Sequence, residues 1–250
     1  MDGFDASTYG ERFADVYDDW YGDVSDVAAT LEAVAALAGD GPVLELGVGT
    51  GRLAVPLAER GLEVHGIDAS PAMLERLAAK AAAAGVVVHA SRGDFADVAA
   101  EVAGGFGVVL VAFNTLFNLP DADAQHRCFA TVARRLRPDG RLVVEAFVPE
   151  PEAATPGGAV TPTVIEADRV VLHVTQSDPE AQTVVGSVVS ITESGIRLRP
   201  WRIRWATPDE LDAMAAGAGL ERVDRWGDWD RRPFDDESPR HVTVYRPTGR

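Results

Sequence analysis

Val43-Leu44-Glu45-Leu46-Gly47-Val48-Gly49-Thr50-Gly51 decides the fold. A short apolar run of strand length ends in three glycines at alternate positions, and helical sequence follows to about residue 60. Glycines at a strand-to-helix turn let the main chain approach a ligand closely. The helix that opens there offers unpaired N–H groups. The motif alone leaves two readings, because Gly49-Thr50-Gly51-Arg52-Leu53-Ala54 also fits the dinucleotide pattern G-x-G-x-x-A. No Gly-Lys-Ser/Thr follows, which excludes a P-loop.

Outward from this turn, strands and helices alternate. The pattern predicts helices over 9–21 and 25–37, the second capped by Ser25. Strands are expected at 42–46, 62–67, 86–89, 106–113 and 141–146. A helix opens at Ser70-Pro71, another spans 121–136, and Pro138-Asp139-Gly140 turns the chain. The run 106–113 is almost wholly apolar, as for a strand covered on both faces. This order specifies an α/β fold with a doubly wound, mostly parallel sheet. Such sheets bind ligands at the carboxyl ends of their strands. Glu45 to Gly51, Asp68, Asp94 and Asn114 should therefore converge on one edge.

The pattern then changes. Residues 149–162 read as a linker rich in Pro, Gly and Ala, and 163–205 as an antiparallel β insertion of about three strands after strand five. Pro200 implies a bulge or an edge strand there. A helix at 208–218 capped by Thr207 and strands near 220–226 and 241–245 close the chain. We read 1–250 as one domain, with the helices of 1–40 as a lid and 150–206 covering the substrate side.

Three acids narrow the ligand. Glu45, two residues before Gly47, would repel a pyrophosphate but suits an ammonium group. Asp68 ends the second strand, where a carboxylate accepts hydrogen bonds from ribose hydroxyls. Asp94 follows the third strand and can accept from an adenine amino group. A ribose, an adenine and a cationic amino-acid end are implied.

Glu45-x-Gly47-x-Gly49-x-Gly51, Asp68 and Gly93-Asp94-Phe95 resemble the class I S-adenosylmethionine-dependent methyltransferases. The resemblance implies a Rossmann-like sheet of seven strands, order 3-2-1-4-5-7-6, with strand seven antiparallel. It implies S-adenosyl-L-methionine as cofactor, with Gly47, Gly49 and Gly51 at its methionine end, Asp68 at the ribose, and Thr50 and Ala69 among the residues that bind it. Met73, Asp94 and Phe95 would surround the adenine, and Asn114, Thr115 and Leu116 would complete the pocket. The stretch 114–119 and the insertion also look similar to small-molecule methyltransferases of bacterial secondary metabolism, including amino-sugar N-methyltransferases. Methyl transfer to an N or O atom of a small molecule is the activity implied. A non-catalytic binder of the cofactor and an NAD-dependent oxidoreductase are the rival readings.

Acceptor contacts have three sources: Tyr9, Tyr17, Trp20 and Tyr21 near the N-terminus; Asn118, Glu145 and Phe147 at strand ends; and Trp201, Trp226 and Trp229 later in the chain. Glu145 is the carboxylate best placed by sequence to act as a base. Arg197, Arg199, Arg202 and Arg204 alternate with apolar residues and form a basic face that either meets an anionic acceptor or pairs with local acids.

Composition sets the outer bounds. Of 250 residues 46% are apolar, with no run long enough to cross a membrane. The N-terminus lacks the basic and apolar segments of a secretory signal. A net charge of −16 argues against nucleic acid and anionic membranes as partners. Cys128 is the sole cysteine and reads as a small buried residue, consistent with a cytoplasmic protein. Five scattered histidines lack ligand spacing, so no metal is expected.

Overall fold

The computed structural model describes residues 3–22, 24–97, 104–149 and 157–249. Its main sheet has seven strands: β1 (Val43–Leu46), β2 (Val64–Asp68), β3 (His89–Arg92), β4 (Phe106–Val111), β5 (Leu136–Phe147), β10 (Leu220–Trp226) and β11 (Arg240–Pro247). The order is β3-β2-β1-β4-β5-β11-β10. β1 to β5 are parallel and β11 runs antiparallel to both neighbours. A second sheet holds β6 (Gly157–Ile165), β7 (Arg169–Asp178), β8 (Thr183–Thr192) and β9 (Gly195–Arg204), all antiparallel. The helices are α1 (Thr8–Phe13), α2 (Tyr17–Tyr21), α3 (Val27–Ala38), α4 (Ala54–Glu59), α5 (Pro71–Ala84), α6 (Ala122–Ala133) and α7 (Pro208–Gly217).

The apolar strands are explained by burial on both faces. Alternate side chains of β4 go to opposite sides: Val109 and Val111 join Phe129 and Val132 of α6, whereas Val108 and Leu110 join Leu31 and Val34 of α3. Each such buried side chain contributes about 1.5–3 kcal/mol. A third cluster lies beneath the second sheet, where Val171, Val188 and Trp201 meet Phe13 and Met73.

Several expected boundaries moved. The helix expected over 9–21 breaks, because Val16 N–H donates to Phe13 O at 3.0 Å in a tight turn that separates α1 from α2. Asp26, not Ser25, caps α3 by accepting from Ala29 N–H at 3.0 Å, and Ser25 Oγ accepts from Arg52 instead. The valines at 86–88 precede β3: Gly85 is left-handed (φ 71°) and Val86 N–H bonds back to Ala81 O, so Val86 completes the end of α5 and Val87 and Val88 lead into the strand. β5 begins earlier than expected, and Pro138-Asp139-Gly140 falls where its register with β4 shifts. The insertion has four strands rather than three. Gly157, Gly158 and Pro162 disguise β6 as linker, but β6 is an edge strand, which tolerates proline. Residues 150–156 of the expected linker lie outside the described residues. Pro200 sits on the other edge strand, β9, whose register is unbroken, so it marks an edge and no bulge.

Candidate functional site

A cavity of about 430 Å³ opens at the carboxyl ends of β1, β2 and β4, beneath β7–β9 and beside α1 and α2. Its floor is the glycine turn. Gly47, Gly49 and Gly51 have φ of 66°, 54° and 80°, a left-handed conformation that other residues adopt at a cost of roughly 1–2 kcal/mol. Gly47 and Gly49 line the cavity, with Asp68, Ala69 and Met73 beside them. Asp68 accepts from Gly49 N–H at 2.9 Å and from Ser70 N–H at 2.8 Å, joining the end of β2 to the glycine turn. Burial raises its pKa. Asp94, Phe95 and Asn114 also line the cavity, and Asp94 accepts from Ala96 N–H at 2.9 Å.

Glu45 lies just behind this wall. It is 5% exposed, and its Oε2 is buried with no hydrogen-bond partner among the described residues. Burial pushes its pKa up to about 8, against the pull of Arg52. A buried carboxyl with an unmet oxygen, next to a glycine cradle, fits a ligand that brings a cation.

The phenols of Tyr9, Tyr17 and Tyr21 form the helical wall of the cavity. Tyr17 and Tyr21 pack with rings tilted at 43° and centroids 4.9 Å apart, and Tyr21 lies 5.9 Å from Phe113. Burial raises the pKa of all three, that of Tyr17 to about 12, so they remain protonated and polar at their tips. Asn118 and Trp201 complete the expected lining residues.

Other expected site residues sit elsewhere. Glu145, expected as a base, does not line the cavity. It is 3% exposed, and its Oε2 accepts from Phe113 N–H at 2.8 Å while its carbonyl accepts from Asn114 N–H at 3.0 Å. Asn114 Oδ1 in turn accepts from Phe147 N–H at 2.7 Å. Phe113 (φ 47°) and Asn114 (φ 63°) are left-handed despite their side chains, so Glu145 braces a strained turn. Phe147 packs edge-on against Phe117, behind that turn. Trp20 lies under the Arg199 guanidinium at 5.1 Å, outside the cavity. Trp226 and Trp229 are buried in the core with Val242 and Val244: the β10–β11 pairing sets Trp226 opposite Val242, and Trp229 folds in from the turn that follows β10. Thr50 and Gly51 shape the turn from behind: Gly51 packs on Val55 and Leu77, and Thr50 is tied to α2. Among the described residues no group of three His, Cys, Asp or Glu is placed to hold a metal.

A methyltransferase-domain family profile matches residues 43–140. The structure of the CcbJ methyltransferase from Streptomyces caelestis is 43% identical, with a TM-score of 0.91 over 98% of this chain and 100% of that one. The chain belongs to the class I S-adenosylmethionine-dependent methyltransferases. The cypemycin N-terminal methyltransferase of a Streptomyces species is 29% identical over 203 residues, 81% of each chain. The sugar N-methyltransferase KedS8 of a Streptoalloteichus species shares the fold, with a TM-score of 0.67 at 23% identity over 98% of this chain and 99% of that one. Membership decides the ambiguity of the glycine motif in favour of S-adenosylmethionine over NAD, and the enzyme reading over a non-catalytic binder.

Two carboxylates fasten the N-terminal helices of the methyltransferase onto the glycine turn, the start of α5 and Lys80. Glu11 of α1 accepts from Ser70 Oγ at 2.7 Å and from Ala72 N–H at 3.0 Å. Asp18 of α2 accepts from Thr50 Oγ at 2.6 Å and from Lys80 Nζ at 2.5 Å. Both were invisible to motif reading, since the partners are 32 to 62 positions apart. Replacing Asp18 by alanine leaves the buried Thr50 hydroxyl with Lys80 alone. We expect Asp18→Ala to speed cofactor release about tenfold, about 1.4 kcal/mol, and to raise hydrogen exchange in α2. Stopped-flow release and exchange mass spectrometry would check both, and unchanged values would mean that the contact fastens nothing.

Sequence reading also missed Phe4, Phe113, Pro120, His173 and Val188, which all line the cavity, whereas Arg202, also lining it, belongs to the basic face read from the sequence. His173 and Val188 oppose each other across β7 and β8. Nothing in their spacing tells which sheet face meets the main domain.

Proposed function

We propose that this methyltransferase transfers a methyl group from S-adenosylmethionine to an N or O atom of a small molecule. The observation that carries this reading is the roof: β7–β9 and the N-terminal helices cover the carboxyl ends of the strands, leaving a cavity of small-molecule size. The helices of 1–40 then act as a lid, and the 150–206 insertion covers the acceptor.

In this reading Gly47 and Gly49 admit the methionine end of the cofactor, and Glu45 meets its ammonium. Asp68 and Ala69 hold the ribose, Met73, Asp94 and Phe95 enclose the adenine, and Asn114 completes the pocket. Thr50 and Gly51 keep the turn in shape. The cofactor supplies a methyl group on a sulfonium, ready for in-line displacement. The chain positions the acceptor and excludes water. Tyr9, Tyr17, Tyr21, Asn118 and Trp201 face the acceptor, and the aromatic rings favour a positive methyl-sulfonium region. Transfer to nitrogen is supported by the cypemycin relative, by name an N-terminal methyltransferase, because the N-terminus of a chain is an amino group. A net charge of −16 speaks against a nucleic-acid acceptor. No described helix is long and apolar enough to cross a membrane, and we place the enzyme in the cytosol.

Labelled S-adenosylmethionine incubated with the enzyme and a bacterial extract tests the reading. We expect the label in the dialysable fraction. Label that precipitates with protein or RNA would replace a small acceptor with a macromolecule.

A further inference from the structure

Four arginines punctuate β9, and three have evident partners. Arg197 and Arg199 both reach Asp15, at 3.0 and 3.1 Å, with Arg199 buried over Trp20. Arg204 is buried, donating to Gln125 Oε1 at 2.7 Å and to Gln182, and stands 3.8 Å from Glu210. These three are structural cations that pin the second sheet to the turn between α1 and α2, to α6 and to α7.

Arg202 is different. Its one hydrogen bond among the described residues runs from Nη2 to the carbonyl of Pro120 at 3.1 Å, and no described carboxylate lies within ion-pair distance. Arg202 and Pro120 both line the cavity, with His173, Trp201 and Ile203. The chain carries 39 acidic side chains against 23 lysines and arginines, yet none of the described acids neutralises this guanidinium at the cavity. Five N–H donors in a planar fork, one of them used, match a carboxylate. A phosphate dianion would call for more positive charge than one arginine supplies. The residue stands on β9 of the insertion, and its protein contact is to Pro120 rather than to the glycine turn.

We propose that Arg202 binds a carboxylate of the methyl acceptor and so selects acceptors that carry one. This rests on the small-molecule reading of the cavity given above. The guanidinium anchors the acceptor at the insertion side, leaving its nucleophilic atom free to face the tyrosines and the cofactor.

The test uses the full chain and matched pairs of small amines, each as free amino acid and as its carboxamide. With S-adenosylhomocysteine bound, titration with the acids should shift the Arg202 Nε–Hε resonance, assigned by its loss in Arg202→Gln, and the amides should not. In methyl transfer, the acids should exceed the amides in kcat/KM by about tenfold or more. Arg202→Gln should erase that preference by raising KM for the acids, with S-adenosylhomocysteine affinity unchanged. A purely structural role for the Pro120 contact would leave the acid-over-amide preference intact in the variant, and that result overturns the proposal. An equal response to acid and amide overturns it as well. So does a loss of S-adenosylhomocysteine affinity in Arg202→Gln, which would assign the residue to the cofactor. Carboxylate binding at Arg202 without any methyl transfer would instead sink the small-molecule transfer reading and leave the anion site standing.

Discussion

From about pH 5 to about pH 7, S-adenosylmethionine should bind the wild-type enzyme more tightly by up to about tenfold per pH unit, and Glu45→Gln should lose that slope. The reason is the environment of Glu45. Burial pushes its pKa up to about 8, and one of its oxygens has no partner. Across this range the free enzyme therefore holds the protonated acid. The cofactor's amino group is an ammonium throughout the same range. An ammonium beside the carboxyl favours its charged form. Binding then expels a proton, and expulsion becomes easier as the pH rises. The same shift governs folding with a definite sign. An acid whose pKa is raised in the folded state stabilises that state below its unfolded value of 4.5, and the contribution is lost as pH climbs through about 8. The free enzyme should thus lose melting temperature over that window, and the cofactor-bound enzyme should lose less. Asp68, also raised by burial, is proposed to meet neutral hydroxyls, so Asp68→Asn should bind more weakly but keep the slope. Calorimetry at three pH values with each variant decides the matter. A slope that survives in Glu45→Gln removes the ammonium from Glu45.

The parts of this fold that were legible in the sequence are those where burial dictates residue type. β4 and β1 read as strands because both faces need apolar side chains, and the glycine turn read as a ligand loop because only glycine is at ease with φ near 60°. Asp68 and Asp94 were found because strand ends in a parallel sheet share one edge. Direction around a strand was harder to read. Trp226 pairs opposite Val242 and is drawn into the core, although its place at a strand end looked like a pocket position. Glu145 lies at the expected strand end, but its carboxyl turns towards the main chain of a left-handed turn that sequence gave no reason to expect at Phe113. The acceptor side was least legible because it is built from register. His173, Val188 and Arg202 come from three strands of a separate sheet. Their approach to the cavity depends on how that sheet docks onto α1, a contact between residues far apart in the chain.

Gly47→Ala should abolish measurable turnover and raise the cofactor Kd by about 100-fold while the protein still folds. Two costs combine. Alanine at φ 66° carries roughly 1–2 kcal/mol of left-handed strain. Its Cβ would also stand 2.4 Å from Thr115 Cγ2, and overpacking of this kind costs about 1–3 kcal/mol. Thr115 cannot move away cheaply. It follows Phe113 and Asn114, both left-handed and both held by hydrogen bonds to Glu145 and Phe147. The relief must therefore come from the glycine turn, which shifts at the point where the cofactor needs it. Two further variants separate the costs. Gly49→Ala has only Gly47 O near its Cβ, at 3.9 Å, so it carries strain without the clash and should lower the melting temperature less. Adding Thr115→Ser to Gly47→Ala removes the offending methyl and should recover part of the stability and part of the affinity. If the double variant recovers nothing, backbone strain alone accounts for the loss. If Gly47→Ala binds cofactor like the wild type, the turn does not cradle the methionine end.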